Sequence, residues 1–332
     1  MAGQGIQYTT AGTIGAQVQL AHDRDAFRWS DLNILTLTWN VSGISPDDPS
    51  MLSRFIGLFE KSSLPQVVSI GLQEVYELKG FSVVSNFFKN EAPTLKKWVD
   101  CFVSLILEVD SSYYLASSEM LEGLVSLNFV HRSVTNKVKA HDIEEIKTGM
   151  MGLVGTKGSL VSLLTFEDKR IIFCNTHLPS GDKVDARSEI IHGLYKTYCK
   201  PSVCDLFVLY GDLNLRLQVN KEDYRRAIKN NQIYDADNRI DWNYLISRDE
   251  VKSGSQPVLS NYFFEQNITF PMTYRLNKKS SVPSYCPDRV ASWYITSNIG
   301  LTECFAGSRR LERCSCIFQI THTSLCQAQT IS

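Results

Sequence analysis

Six polar residues of this chain each follow a run of β-branched and apolar residues, where strands are expected to end. They are Asn40, Glu74, His177, Asp212, Asn214 and His322. Taken alone, an Asn or Asp after a strand is more often a turn former, and a lone His is more often a structural residue. Strand ends from separate segments can converge at one edge of a sheet, however, and α/β folds place ligand sites there. The recurrence therefore predicts one shared site.

The residue types at these positions suit phosphoester chemistry. Glu74 and Asp212 are hard oxygen ligands, and the amides of Asn40 and Asn214 can coordinate a metal or orient water, a set that suits Mg²⁺. Two histidines without soft ligands argue against zinc. They suit a phosphoryl group, because an imidazolium donates hydrogen bonds to charge that develops on its oxygens. Together these residues indicate metal-assisted phosphoester hydrolysis with water as the nucleophile.

The elements that must position these residues alternate along the chain. β-Rich runs predict strands at 33–41, 67–75, 121–130, 159–166, 170–178, 205–214, 288–296 and 316–322. Apolar residues at helical spacing predict helices at 50–61, 185–199, 221–231 and 240–251. Residues 1–30 have weak periodicity and are predicted to be a leader or an edge strand. The alternation predicts an α/β or α+β domain with two sheets flanked by helices.

Charge and cysteine content narrow the class of protein. The 332 residues include 34 Lys and Arg against 35 Asp and Glu, which argues against bulk binding of nucleic acid. No apolar run is long enough to span a bilayer, and no secretory signal is visible. The nine cysteines are an odd number without a CxxC pair, so reduced thiols in a cytoplasmic protein are expected and a zinc site is not.

Several motifs resemble those of inositol polyphosphate 5-phosphatases. The strings that carry the resemblance are LYGDLNLRL (209–217), FPMTYRL (270–276) and PSYCPDRV (283–290). Further matches occur in the family's order: TWN (38–40), LQE (72–74), TGMMGLVGTKGS (148–159) and NTHLPSG (175–181). The GDxN and QE motifs alone would indicate only the wider Mg²⁺-dependent endonuclease/exonuclease/phosphatase superfamily. The linked TYR and PSYC-x-DR segments narrow the resemblance to the 5-phosphatases.

The resemblance implies a fold and an activity. The fold would be a four-layered α/β sandwich, in which two mostly antiparallel β-sheets pack face to face with helices on the outside. Residues 31–328 would form a single catalytic domain. The activity would be Mg²⁺-dependent removal of the 5-phosphate from inositol polyphosphates or from phosphoinositides such as phosphatidylinositol 4,5-bisphosphate. A monomer in the cytoplasm with transient contact to the membrane surface is expected.

Residue roles follow from the same resemblance. Glu74 would hold the metal, aided by Asn40. Asp212 would act as general base for the attacking water, and Asn214 would position that water. Residues implied at the scissile phosphate are His177 and His322, with Asp288 fixing the tautomer and charge of His322.

The resemblance also implies contacts to the rest of the substrate. Tyr274 and Arg275 occupy the place where the family's Tyr-Lys meets the 4-phosphate, and Arg keeps the charge while adding a bidentate fork. Further candidate phosphate contacts are Lys157 and Arg289, for which a solvated surface charge is the alternative. Residues that could touch lipid acyl chains, with packing in the core as the alternative, are Met150, Met151 and Leu153.

Three departures from the family pattern bear on activity. The family's Gly-Asn-Lys-Gly has Thr156 in place of Asn, and Pro287 is inserted into the Cys-Asp-Arg triplet. Because an inserted Pro fixes φ and removes an N–H, it could displace Asp288. The family's closing Ser-Asp-His is Ile-Thr-His here, so neutral Thr321 should weaken Mg²⁺ binding. An alignment in which His322 is not the catalytic histidine stays open.

Two hypotheses from different classes follow. The first is an active 5-phosphatase, favoured because a protein that only binds has no need of a water-activating Asp212. The second is a catalytically impaired homologue that binds phosphoinositides without hydrolysing them, favoured by Thr321. A superfamily relative acting on abasic DNA or sphingomyelin ranks third, because the near-neutral charge and the TYR and PSYC-x-DR segments count against it.

Overall fold

The structure is a computed structural model. It describes residues 32–41, 43, 45, 46, 59, 64–75, 84–121, 123–147, 157–216, 218, 222, 247–263 and 314–318. For 84–92, 140–147 and 314–318 the description is of the backbone alone. Among the helices within these ranges, none has both the length and the apolar character needed to cross a membrane.

Within the described ranges the chain forms two sheets, and the first, sheet A, has four strands there. In chain order they are β1 (Ile34–Asn40), β2 (Val67–Gln73), β3 (Tyr113–Leu121) and β4 (Leu124–His131). Their spatial order is β1-β2-β4-β3. β1 and β2 are parallel, with Asn40 opposite Gln73, whereas β4 runs antiparallel to both of its neighbours. The parallel pair therefore ends together at one edge of the sheet.

The second sheet, sheet B, has five strands in the part of the chain that the structure describes. In chain order they are β5 (Val138–Lys147), β6 (Gly158–Phe166), β7 (Lys169–His177), β8 (Leu206–Asp212) and β9 (Cys314–Phe318), and this is also their spatial order. β5, β6 and β7 pair antiparallel, whereas β7, β8 and β9 pair parallel. In the β7–β8 register His177 lies opposite Asp212, so these two side chains emerge at the same edge.

Helices cover the outer faces of both sheets. They are α1 (Val84–Val109), α2 (Val184–Tyr198) and the short α3 (Pro257–Tyr262), and a 3₁₀ turn occupies Arg132–Lys137. One apolar cluster joins sheet A to α1 through Trp98, Phe102 and Ile106. Another joins sheet B to α2 and α3, and a third lies between the two sheets. The predicted four-layered sandwich is confirmed. Of the seven strand pairs among the described residues, four are antiparallel, and the pairs that carry the candidate site are parallel.

The face between the sheets changes from apolar to polar along the strands. Alternate residues of a strand point to one face. Those of β7 that point toward sheet A are, in order, Ile171, Phe173, Asn175 and His177, and those of β8 are Leu206, Val208, Tyr210 and Asp212. The apolar ends hold the sheets together by excluding water, and the polar ends form the edge where the candidate site lies.

Most of the buried strands were predicted from their sequence. β1, β2, β6, β7, β8 and α2 agree with the predicted segments within a few residues. The predicted strand at 121–130 is wrong at its start, because a turn at Gly123 (φ 91°) separates β3 from β4. The final predicted strand corresponds to β9, which begins at Cys314.

The predicted helix at 240–251 is wrong over its described residues. Residues 247–251 form turns, because the Asp249 Oδ1 atom accepts hydrogen bonds from the backbone N–H groups of Val251 (2.8 Å) and Lys252 (3.4 Å). Two predicted segments lie entirely outside the described residues, namely 1–30 and 288–296. The predicted helices at 50–61 and 221–231 also lie outside them, except for the single residues Phe59 and Glu222.

Candidate functional site

Three of the predicted site residues converge at the carboxyl ends of β2, β7 and β8. Glu74 directly follows β2 in sheet A, while His177 and Asp212 end β7 and β8 in sheet B. The ligand atoms of these three side chains all lie within 4.8 Å of one another. The His177 Nε2 atom is 3.4 Å from Asp212 Oδ2 and 3.7 Å from Glu74 Oε1. The cluster thus takes one carboxylate from each sheet, with an imidazole between them.

Asp212 is held by partners from both sheets. Its Oδ2 accepts a 2.9 Å hydrogen bond from the Asn40 amide at the end of β1, and its Oδ1 accepts one from the Asn214 backbone N–H at 3.1 Å. Burial favours a higher pKa for Asp212, but the hydrogen bond and charge of His177, the charge of Lys157 and the Asn40 amide together hold that pKa well below its usual value. The carboxylate is therefore ionised.

Lys157 brings a cation to the same point. It immediately precedes β6, and its ammonium contacts the His177 Nε2 atom. The imidazole is almost completely buried, with 1% of its side chain exposed, whereas 28% of the Glu74 side chain is exposed. The cluster is thus closed on the imidazole side and open to solvent on the Glu74 side, where a ligand could enter.

Two of the site residues adopt left-handed backbone conformations. Glu74 has φ 53° and Asn214 has φ 49°, values that are uncommon outside glycine. The turn at Asn214 is fixed by its side-chain amide, which donates to the Leu178 carbonyl at 2.9 Å. Leu178 in turn donates its N–H to the Asp212 carbonyl at 2.9 Å. The loops after β7 and β8 are thereby tied together beside the cluster.

Glycine at the penultimate position of β8 lets these strands pair. Gly211 has φ 124°, and a Cβ added there would lie 1.9 Å from the Thr176 carbonyl oxygen. No side chain fits in that space. The glycine of the GDLN string is therefore a backbone requirement for setting Asp212 opposite His177.

A buried ion pair that the sequence analysis did not single out supports the loop after β7. The Arg187 guanidinium, from α2, donates to the carbonyls of Pro179 (3.1 Å) and Gly181 (2.8 Å). Its other amino group pairs with Glu250 at 2.5 Å, and neither side chain is exposed. The loop after β7, which borders the site, is therefore held in place by hydrogen bonds from a buried side chain of α2. In the sequence, Arg187 is only a basic residue within the predicted helix at 185–199. Because charged residues are common on helix surfaces, this position gives only a weak indication of a buried ion pair.

The described residues contain six of the predicted site residues and bring them together. These are Asn40, Glu74, Lys157, His177, Asp212 and Asn214. The other predicted residues lie outside the described ranges. They are Met150, Met151, Leu153, Tyr274, Arg275, Asp288, Arg289 and His322. The departures from the family pattern at Thr156, Pro287 and Thr321 lie outside these ranges as well.

The donor set fits a divalent metal ion. Two carboxylates from different sheets, with an amide and an imidazole nearby, supply the oxygen-rich environment that hard cations prefer. The Glu74 side chain is 28% exposed against 11% for Asp212, so its carboxylate is the better placed metal ligand. The arrangement can hold a cation, an anionic group and an activated water side by side.

A model of a known protein family matches most of the chain. The model, described as endonuclease/exonuclease/phosphatase family 2, matches residues 37–294. This range includes the six described site residues.

Curated relatives include proteins named as phosphoinositide phosphatases or inositol polyphosphate 5-phosphatases. The chain is 27% identical over 272 residues to the polyphosphatidylinositol phosphatase INP53 of Saccharomyces cerevisiae, covering 80% of this chain and 24% of that protein. It is 24% identical over 267 residues to synaptojanin of Caenorhabditis elegans, covering 74% of this chain and 22% of that protein. The chain thus spans about a quarter of the length of these relatives. The resemblance found in the sequence is confirmed.

Solved structures share the fold. The inositol polyphosphate 5-phosphatase domain of SpSynaptojanin, in complex with inositol (1,4)-bisphosphate and calcium ion, superposes with a TM-score of 0.60 at 21% identity, covering 80% of this chain and 74% of that chain. The ferrous NO complex of Cimex nitrophorin superposes with a TM-score of 0.51 at 16% identity, covering 78% and 85%. Because a nitrophorin in a ferrous NO complex shares the architecture, the fold alone does not define the chemistry.

Proposed function

The chain belongs to endonuclease/exonuclease/phosphatase family 2, and from that premise we propose that it is a Mg²⁺-dependent 5-phosphatase. Its substrates would be inositol polyphosphates, phosphoinositides such as phosphatidylinositol 4,5-bisphosphate, or both. The observation that carries the proposal is the convergence of Glu74, His177 and Asp212 within 4.8 Å, from strands of two different sheets. Two carboxylates beside an imidazole and an ammonium suit hydrolysis of an anionic ester.

The relatives support the substrate class. INP53 is named a polyphosphatidylinositol phosphatase, and another relative of Saccharomyces cerevisiae is named phosphatidylinositol 4,5-bisphosphate 5-phosphatase INP51. The SpSynaptojanin domain holds an inositol with phosphates at positions 1 and 4 and none at position 5, together with a divalent cation. The shared fold and the cluster of carboxylates and imidazole in this chain make the same head group the best candidate ligand here.

Water activation is assigned to the loop after β8. The ionised Asp212 would accept a proton from the attacking water as general base. Asn214, held by its contact with Leu178, would position that water. Glu74 and Asn40 would hold Mg²⁺. When bound, the ion would supply charge that stabilises the phosphoryl oxygens.

Phosphate recognition is assigned to the basic residues. Lys157 and His177 are already adjacent and would donate to the oxygens of the scissile phosphate. Outside the described residues, His322 would act with them, oriented by Asp288, while Tyr274, Arg275 and Arg289 would contact the other phosphates. Met150, Met151 and Leu153 would meet the acyl chains of a lipid substrate at the membrane surface. We assign these roles to one catalytic domain of residues 31–328, acting as a monomer in the cytoplasm.

The test is phosphate release by the purified chain. A soluble inositol trisphosphate and vesicles containing phosphatidylinositol 4,5-bisphosphate would be compared over a Mg²⁺ titration, with wild type and Asp212→Asn. Release that requires Mg²⁺ and disappears in the variant is the expected result. Comparing the two substrates separates lipid from soluble preference.

A second candidate function is that of an impaired homologue that binds phosphoinositides. Neutral Thr321, where the family has Asp, favours it. Folded wild-type protein that binds the vesicles but releases no phosphate at any Mg²⁺ concentration would support this second function and exclude the first. Cleavage of an abasic oligonucleotide without release from inositol phosphates would overturn both.

A further inference from the structure

Two buried side-chain amides meet across the sheets directly beneath the candidate site. Gln73, the last residue of β2, donates through Nε2 to the Asn175 Oδ1 atom on β7 at 2.8 Å. Both residues are completely buried. Gln73 precedes Glu74, and Asn175 lies two residues before His177 on the same face of the strand. The contact therefore joins the two halves of the cluster at the level below the ligand atoms.

The orientation of each amide is fixed by backbone carbonyls. The Gln73 amino group also donates to the Gly71 carbonyl (3.3 Å) and to the Thr38 hydroxyl (2.9 Å). The Asn175 amino group donates to the Val125 carbonyl on β4 at 2.9 Å. Since a carbonyl accepts but cannot donate, these contacts aim the Asn175 oxygen at the Gln73 amino group. The pair thus has one arrangement, and a flip of either amide would set like atoms against each other.

The backbone around this contact is equally constrained. A Cβ added to Gly71 would lie 2.5 Å from a ring carbon of Tyr210 and 2.6 Å from the Asn175 Cγ, so the sheets approach closely here. The Gln73 and Glu74 carbonyls accept hydrogen bonds from the N–H groups of residues 41 and 43, at 2.8 and 2.7 Å. Because these hydrogen bonds fix the backbone of both residues, a shift of Gln73 relative to sheet B would also shift Glu74.

We infer that the Gln73–Asn175 pair is a positioning device, which sets the separation of Glu74 from His177 and Asp212 and thereby the affinity of the cluster for a divalent cation. The inference rests on the proposed function in so far as the cluster binds Mg²⁺. The two carboxylates stand on different sheets, so their spacing is only as well defined as the packing of the sheets at this level. Groups that orient metal ligands through a second layer of contacts typically change metal affinity by ~10–100-fold when they are removed.

A control contact of the same kind joins the two sheets through a residue of β2 that lies farther from Glu74. Ser69 is also on β2, is completely buried, and makes a 2.9 Å hydrogen bond across the sheets to the Tyr210 hydroxyl. It lies four residues before Gln73, about 13 Å along the strand. Tyr210 pairs with Asn175 in the β7–β8 register, so this contact also joins the sheets close to the cluster. Ser69→Ala therefore removes an inter-sheet hydrogen bond while leaving the Gln73–Asn175 contact itself in place.

The experiment measures Mg²⁺ binding to the chelator-treated full chain by isothermal titration calorimetry, alongside urea unfolding. Gln73→Met removes the amide at similar volume, and Asn175→Ala removes its partner from the other sheet if the first variant does not fold. We expect the Mg²⁺ Kd to rise by about tenfold or more in each folded variant. Ser69→Ala should lower stability and leave the Kd within about twofold of wild type.

Other outcomes overturn the inference in distinguishable ways. An unchanged Kd in folded Gln73→Met or Asn175→Ala would leave the proposed function intact and refute the positioning role. An equal rise of the Kd in Ser69→Ala would assign the effect to general loosening of the sandwich. Wild type that binds no Mg²⁺, with a Glu74→Gln control indistinguishable from it, would overturn the inference and the metal assignment together.

Discussion

Replacing Asp212 by Asn separates the chemical role of this carboxylate from its structural role. The Asp212 Oδ1 accepts from the Asn214 N–H at 3.1 Å, and an amide oxygen can continue to do so. The Oδ2, which accepts from the Asn40 amide at 2.9 Å, would become an amino group that faces another amino group. The contacts of the charged Oδ2 with the Asn40 amide and with His177 are therefore lost. A neutral amide is less costly to bury than a carboxylate, which offsets part of this loss, and the free energy of unfolding should fall by about 1–3 kcal/mol.

The expected loss of activity is much larger than the loss of stability. An amide cannot accept the proton of the attacking water, and general-base assistance is typically worth about 10²–10⁴-fold in rate. This corresponds to about 3–5.5 kcal/mol of transition-state stabilisation. The assay is phosphate release at saturating Mg²⁺, with kcat and KM determined separately and urea unfolding of the same preparations. We expect the loss to fall on kcat.

Asp205→Asn is the matched control. Asp205 immediately precedes β8, and its Oδ2 also accepts from a backbone N–H, that of Arg170 at 2.9 Å. It lies seven residues from Asp212, about 23 Å along the strand. Activity of Asp205→Asn should remain within about twofold of wild type. If Asp212→Asn kept more than about a tenth of wild-type kcat, or if Asp205→Asn lost as much, the general-base assignment would be wrong.

Three further predictions concern the framework of the site, each checked by urea unfolding. Gly211→Ala should lower the free energy of unfolding by about 3 kcal/mol or more, because its Cβ would lie 1.9 Å from the Thr176 carbonyl oxygen. A decrease of less than about 1 kcal/mol would contradict this geometry. Arg187→Met should cost about 3–5 kcal/mol by leaving buried Glu250 unpaired, and adding Glu250→Leu should recover most of that loss. Burial raises the pKa of the Tyr113 hydroxyl in the folded chain. As the pH rises past roughly 10, the unfolded chain therefore loses the phenolic proton first, and the free energy of unfolding falls. Tyr113→Phe should flatten that fall, and an unchanged slope would exclude Tyr113 as its source.

The strands that carry the site could be predicted because they are buried on both faces. β1, β2 and β8 read as nearly continuous apolar and β-branched runs, and their burial in the structure is almost complete. A polar residue that interrupts or ends such a run stands out. The convergence of Glu74, His177 and Asp212 therefore follows from the sequence once their strands are known to end at one edge.

The elements that the sequence analysis missed lack this signal. α1 contains Pro93, which predicts a helix end, although Trp98, Phe102 and Ile106 at four-residue spacing anchor its second half to sheet A. β3 is half-exposed and its pairing shifts between Leu115 and Ser117, so no clean alternation is present. β5 is an edge strand with a largely polar and charged sequence, a composition that protects edges but resembles a loop.

Gln73 and Asn175 were missed for a different reason, and the reason bears on how this fold builds a site. Each lies inside a motif that the sequence analysis quotes, LQE or NTHLPSG, beside Glu74 or His177. The chemistry of a carboxylate or an imidazole is evident from the residue type alone. A buried amide has no such chemistry, and its burial costs free energy where a polar atom lacks a partner, as the Gln73 Oε1 does among the described residues. An apolar pair would close the two sheets at lower cost, as it does at the other end of the same strands. Apolar contacts, however, are non-directional, whereas an amide pair has one allowed spacing and one orientation. A cluster whose carboxylates stand on different sheets needs that spacing, and this requirement explains why the inter-sheet face turns polar before the site begins.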